Sequence, residues 1–396
     1  MRPPFTALHV VQPGDGGVAR VVTDVVGAQL ELGMRVAVAC PPGTPLAVAA
    51  DVCGADVHPW RAGREPGPRL VAESRRIAEL VDLVRPDLVH AHSAKAGLAA
   101  RIAVRGRVPT VYQPHAWSFE AVDGVAGALA RYWERWAARW TDRVICVSDA
   151  ERLRGQRAGV RALWSVVHNG VDAQRFRTGP GRGAARAALG LPPSAPLVVC
   201  VGRLCRQKGQ DTLLEAWTAV LDRVPHARLV LVGDGPAAGA LHAAAERFRG
   251  PGAAGAVGAV GPPSVTFTGA VADPAPWYRA ADLVVQPSRW EGMALAPLEA
   301  MAGGRPVLLT DVDGARESLP PGHATYCLIP PGDPAALAKG LTVLLQRPVL
   351  REALGRQAQQ HVLRRFDVRR AGAAIADVYR EVTAAPRHEL REPISQ

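Results

Sequence analysis

Lysine is nearly missing from this sequence. Lys95, Lys208 and Lys339 are the only three among 47 basic side chains, and the rest are arginine. Aromatic residues are scarce at 5%. The six cysteines (Cys40, Cys53, Cys146, Cys200, Cys205, Cys327) form no CxxC pair. The composition excludes a disulfide-stapled miniprotein, and the cysteines lead us to expect buried thiols in a reducing compartment. No apolar run approaches the ~20 residues of a membrane span. No basic segment followed by an apolar one opens the chain. The expectation is a cytoplasmic protein whose membrane contact, if any, is peripheral.

What is present is a long, mixed chain of 396 residues, 48% apolar and 21% charged. Such a chain can bury full cores without staples, most simply as two domains, and is neither disordered nor collagenous. The net charge of +11 is spread over both halves. Arginine in place of lysine, with abundant Ala, Gly and Pro, reads as the product of a GC-rich genome. The basic excess is therefore not taken as a nucleic-acid footprint, and no nucleic-acid partner is expected. A diffuse positive field still suits phosphate-bearing ligands.

Short apolar runs alternate with longer amphipathic ones. Strands are predicted at Ala7–Val11, Arg35–Cys40, Leu88–Ala91, Thr110–Gln113 and Val144–Val147, then at Leu197–Val201, Arg228–Val232, Val265–Phe267, Leu283–Gln286, Pro306–Leu309 and Thr325–Ile329. Helices are predicted at Ala19–Leu32, Leu70–Val84, Ala94–Arg105 and Val125–Trp140, with two late ones near Leu350–Phe366 and Val368–Val382. Such alternation means βαβ units, parallel sheets and right-handed crossovers, hence an α/β fold of two Rossmann-like doubly wound domains. Residues 1–175 form the first domain and 176–366 the second. Residues 367–396 are a helix and polar tail, the helix expected to pack back toward the first domain. The breaker cluster Thr178-Gly179-Pro180-Gly181 suits a hinge, and Arg249–Pro263 reads as a floppy Gly/Ala/Pro insertion. The carboxyl ends of both sheets would face one interdomain cleft, where ligands bind in such sheets.

Two groups of residues carry chemistry. In Val201-Gly202-Arg203-Leu204 followed by Gln207-Lys208-Gly209, a strand ends in glycine, offers two cations five residues apart and starts a helix. Two cations and a helix start suit a diphosphate; the plain alternative is a solvated surface pair. Next, Glu291 and Glu299 stand eight apart where the strand Leu283–Gln286 gives way to a helix. Up to ~12 Å along a helix axis separates them, about the gap between a hexose and a ribose joined by two phosphates. The N–H groups of Gly292, Met293, Ala294 and Leu295 would face those phosphates.

These motifs, with Gly233-Asp234-Gly235-Pro236 and Phe267-Thr268-Gly269, resemble the retaining nucleotide-sugar glycosyltransferases of family 4, which have the GT-B fold. The resemblance runs over nearly the whole chain, through Gly16-Gly17, His90-Ala91-His92-Ser93, Pro114-His115-Ala116, Val147-Ser148 and Asn169-Gly170-Val171-Asp172. It implies that Arg203 and Lys208 bind the donor diphosphate and that Glu299 holds ribose hydroxyls. Glu291, with the backbone of Gly292 to Leu295, would hold the donor sugar. His115 would match the active-site histidine near that sugar. Gly16 and Gly17 would form the loop that closes over donor phosphate and acceptor. Thr268, Gly269 and Val271 would line the base. The sequence departs from the family at Met293, where an aromatic residue is common.

The resemblance further implies transfer with retention. A front-face route fits, in which the leaving phosphate takes the acceptor proton, because no pair of carboxylates flanks one bond as in a retaining glycosidase. A UDP-linked hexose or N-acetylhexosamine is the expected donor. A lipid-linked saccharide or a small natural product is the expected acceptor. An epimerase of the same fold and a silent nucleotide-sugar sensor are the alternatives.

The remaining features have plainer readings. Gly233 to Ala238 matches a GxGxxA loop, but no acid follows at the distance that would hold a ribose. Asp311-Val312-Asp313 looks like a metal-binding DxD; with cations and a helix start available, no essential metal and no cofactor are expected. His90 and His92, flanking Ala91, are expected to point opposite ways, with His92 meeting the acceptor. Leu129, Trp133, Trp136 and Trp140 share a helix face apart from Arg131, Arg135 and Arg139. That face either packs the helix on its sheet or docks it on anionic lipid.

Overall fold

A computed structural model describes residues 4–248 and 263–384. Nearly all of the Gly/Ala/Pro stretch and the tail after Ala384 lie outside the described residues. The chain divides into two compact units. One is formed by residues up to Gly170 together with those from Val368 on, the other by Val171–Asp367. The Thr178–Gly181 cluster falls inside the second unit, between the short helices Ala173–Arg177 and Arg182–Ala188.

The first unit is built on β1 (Thr6–Val11), β2 (Arg35–Cys40), β3 (Asp56–Pro59), β4 (Leu88–His92), β5 (Thr110–Gln113), β6 (Arg143–Cys146) and β7 (Trp164–Val166). Their order is β3-β2-β1-β4-β5-β6-β7, parallel at every pairing. Alternation along the strands makes two cores. Leu8, Val10, Val89, Ala91 and Tyr112 pack on one face with Trp60 and Ile77. Val11, Val36 and Val38 pack on the other with Val22 and Val26 of the helix Gly16–Glu31. Each fully buried aliphatic side chain contributes ~1.5–3 kcal/mol. The order reverses between β1 and β4, which opens a crevice at their carboxyl ends. The helix Gly16–Glu31 begins three residues before the predicted Ala19, because Gly16 (φ 74°) turns the chain directly into it.

Sequence patterning misses β3 and β7. Both are sheet edges of three or four residues, too short for alternation to stand out.

The second unit holds β8 (Leu197–Val201), β9 (Arg228–Val232), β10 (Val265–Phe267), β11 (Leu283–Gln286), β12 (Val307–Thr310) and β13 (Leu328–Ile329). The order β10-β9-β8-β11-β12-β13 again reverses, here between β8 and β11. The predicted strand Thr325–Ile329 is corrected to a helical turn, Ala324–Cys327, followed by two strand residues. His323 O accepts both Tyr326 N and Cys327 N, closing that turn before the chain reaches the sheet edge. Cys40, Cys146, Cys200 and Cys327 are buried, and burial pushes the Cys200 and Cys327 thiols up to about 12. Cys53 is the correction, since it is exposed.

Candidate functional site

In the second unit the candidate residues gather at the β8/β11 reversal. Lys208 follows β8 and Glu291 follows β11, and Lys208 Nζ donates to Glu291 Oε1 at 2.5 Å. Both are largely buried, with side-chain exposures of 19% and 10%. The same Glu291 oxygen accepts Ser288 Oγ at 2.7 Å, and Gln207 Nε2 reaches Trp290 O at 3.0 Å. Outside this knot Arg289 donates twice to Asp211, at 2.8 and 2.7 Å, and its backbone N–H donates to Gln207 O at 2.7 Å. The Arg289 guanidinium holds the Asp211 carboxyl below its usual range. Two loops from neighbouring strands are thus stitched into one surface. Gly209 permits the approach: its φ is 66°, and a Cβ there would lie 2.0 Å from Pro287 O.

Arg203 differs from Lys208. Its side chain is half-buried and makes no ion pair among the described residues. Glu299 is buried, and its Oε2 accepts the Tyr278 hydroxyl at 2.8 Å. The helix carrying it starts only at Leu295, with Ala294 as an N-cap that offers no side-chain acceptor. The separation of Glu291 and Glu299 is therefore not a helical rise over eight residues; Gly292 and Met293 form a bend ahead of the helix. Met293 itself is buried. Thr268, Gly269 and Val271 follow β10, and Gly233 N donates to Gly269 O at 2.9 Å. The Gly233–Pro236 loop turns back on the β8 loop through Leu204 N to Asp234 O at 2.9 Å. Asp311 of the DxD is paired with Arg316.

In the first unit Gly16 and Gly17 lie exposed at the end of β1. His92 ends β4, and His115 follows β5. His90 and His92 do not point opposite ways. Residues two apart on a strand share a face, and the two rings lie 3.9 Å apart between centroids. The expected acceptor contact of His92 is also corrected, for its side chain is fully buried. Its Nδ1 lies 3.1 Å from His115 Nε2 and its Nε2 2.9 Å from His9 Nδ1. His9 Nε2 in turn lies 2.8 Å from Gln29 Oε1. Burial pushes the imidazoles down, to about 4 at His9 and about 3 at His115. His9, His90 and His92 have the spacing of a metal-ligand trio, but both ring nitrogens of His9 and His92 are already hydrogen-bonded.

His115 and Ala116 have φ of 55° and 91°, the left-handed region that non-glycine residues rarely adopt. Glu151 holds this turn: its Oε1 accepts Ala116 N at 2.6 Å and its Oε2 accepts Val147 N at 2.7 Å. Sequence patterning does not single out Glu151, His9 or Gln29. His9 left one trace, a lone polar residue inside an apolar strand.

The helix expected at Val125–Trp140 runs Gly124–Ala137 and ends in a 3-10 turn to Trp140. Its tryptophan face is only partly packed: Trp133 and Trp140 are half-buried and Trp136 is 36% exposed. The buried residues are Gly127, Glu134 and Ala137, while Leu129 is 63% and Tyr132 67% exposed. Glu134 faces inward because Arg101 donates to it at 2.8 Å, Ser118 Oγ at 2.9 Å and Tyr112 Oη at 3.3 Å. Among the described residues no helix is long and apolar enough to cross a membrane.

Comparison with known proteins agrees with this architecture. The family described as "Glycosyltransferase Family 4" matches residues 15–175, and that described as "Glycosyl transferases group 1" matches residues 195–347. A D-inositol 3-phosphate glycosyltransferase of Streptomyces bingchenggensis is 36% identical over 74% of this chain and 66% of its own length. D-inositol 3-phosphate glycosyltransferase 2 of Catenulispora acidiphila is 32% identical over 94% of this chain and 92% of its own. The crystal structure of Anabaena HepE in complex with UDP-glucose superimposes with a TM-score of 0.80, at 25% identity, covering 95% of this chain and 99% of that one.

Proposed function

The chain belongs to the family 4, group 1 glycosyltransferases of GT-B fold, and from that membership we propose that it moves a hexose or N-acetylhexosamine from a UDP-sugar to an acceptor hydroxyl with retention of configuration. The observation that carries this reading is the convergence of Arg203, Lys208 and Glu291 on the β8/β11 switch point. Arg203 and Lys208 grip the diphosphate, and their charge stabilises the leaving group as the glycosidic C–O bond breaks. Glu291 and the backbone of Gly292 to Leu295 hold the sugar, Glu299 the ribose, and Thr268, Gly269 and Val271 the base. Gly16 and Gly17 close over the phosphate, and His115 positions the sugar. The acceptor oxygen bonds to the anomeric carbon on the face the diphosphate leaves, and its proton passes to the departing phosphate oxygen. No metal takes part in this scheme.

The inositol phosphate named in its relatives supports a small polyol acceptor. The outward apolar face around Leu129 and Tyr132, beside Arg131, Arg135 and Arg139, supports the alternative of a lipid-linked acceptor reached from an anionic membrane surface. Incubation with a panel of nucleotide sugars, with and without acceptors and with and without EDTA, tests the proposal. Acceptor-dependent UDP release is the expected result. An isomerised donor means an epimerase, and binding without turnover means a sensor.

A further inference from the structure

The functional reading uses His115 but leaves the buried chain behind it without a task. Strand register builds that chain. His9 on β1 pairs with His90 on β4, and His92 on β4 pairs with Gln113 on β5, one residue before the turn at Pro114 and His115. Period-two alternation puts His9, His90 and His92 on one face, where Gln29 closes the far end. Gln29, His9, His90 and His92 are all fully buried. Gln29, His9 and His92 are joined in one hydrogen-bonded line, while His90 bonds the Tyr379 hydroxyl.

The chain has a direction. A neutral imidazole has one N–H and one lone pair, so the tautomer of one ring sets that of the next. Gln29 turns its carbonyl oxygen Oε1 toward His9 Nε2, at 2.8 Å. His9 must then donate from Nε2 and accept at Nδ1. His92 donates to it from Nε2 and accepts at Nδ1. His115 donates to His92 from Nε2. His115 Nδ1 is left with its lone pair and makes no hydrogen bond among the described residues. The Tyr379 hydroxyl, 2.6 Å from His90 Nδ1, serves the neighbouring ring and stands outside this line.

We propose that Gln29, His9 and His92 are positioning residues, a buried hydrogen-bond chain that fixes His115 as its Nε2–H tautomer and so presents Nδ1 as an acceptor to a donor-sugar hydroxyl. The last step rests on the reading that His115 lies beside the transferred sugar; the tautomer assignment does not.

The test uses the full chain labelled with 15N-histidine. In the wild type, two-bond 1H–15N correlations should show pyrrole-like Nε2 and pyridine-like Nδ1 at His9, His92 and His115. Gln29→Leu removes the terminal acceptor, so His9 turns its N–H inward and the rings reverse in concert, leaving His115 with Nδ1–H. Its kcat should fall about tenfold, the scale of losing an outer partner of a functional histidine, with KM for the nucleotide sugar little changed. Gln29→Glu keeps an acceptor and should retain both the wild-type tautomers and the activity, which a packing defect alone would not explain. A wild-type His115 carrying Nδ1–H, or one unmoved by Gln29→Leu, overturns the chain. Reversal with unchanged kcat upholds the tautomer control and instead removes His115 from the reacting sugar.

Discussion

Lys208 and Glu291, 83 residues apart in sequence, form one ion pair at 2.5 Å. The cation read as a diphosphate ligand and the carboxylate read as a sugar ligand hold each other. The pair brings the β8 and β11 loops to a single point, so each residue orients the other as well as serving its own ligand.

Substitution at the clamp should reduce turnover more than stability. Lys208→Ala and Arg203→Ala are each expected to lower kcat by ~10²-fold or more, with thermal melting near that of the wild type. Near-normal turnover in both would defeat the diphosphate assignment. Glu291→Ala should impair transfer more than UDP binding; equal loss of both, by kinetics and calorimetry, would argue against a sugar contact.

Replacing Glu151 should loosen the turn that carries His115. Glu151→Ala leaves Ala116 N and Val147 N without their carboxylate. A buried donor left unpaired costs ~1–3 kcal/mol, so the two together should cost ~2–6 kcal/mol in urea unfolding. Glu151→Gln, which keeps one acceptor, should lose less. An unchanged midpoint in the alanine variant would mean that the turn needs no such anchor.

Acid should destabilise the first unit earlier than carboxylate titration would. His9 and His115 are pushed down to about 4 and about 3 in the fold, against ~6.5 in the unfolded chain. Below pH ~6.5 the unfolded chain therefore binds more protons, and stability falls as pH drops through the window between the two values. The slope is up to ~1.4 kcal/mol per pH unit for each such histidine. Urea midpoints at pH 7, 6 and 5 measure it. A flat profile would show that these rings are solvated.

The helix Gly124–Ala137 gives a separate test. If its outward face meets anionic lipid, flotation with phosphatidylglycerol vesicles should exceed that with neutral vesicles, and Leu129→Asp with Tyr132→Asp should abolish the difference. Equal flotation on both would reject the membrane contact. Gly209→Ala, by contrast, should disable the enzyme whatever the acceptor, because its Cβ would meet Pro287 O at 2.0 Å. Wild-type kcat in that variant would show that the β8 and β11 loops tolerate being moved apart.

Strand–helix alternation, the two units and the strand-end position of Arg203, Lys208 and Glu291 are legible in the sequence, because periodicity and order along the chain are local properties. Contacts across strands are not. The face shared by His9, His90 and His92, the inward turn of Glu134 and the Lys208–Glu291 pair depend on register and strand order. Those are set when distant segments pack, and the energy of a buried polar group depends on which partner arrives beside it.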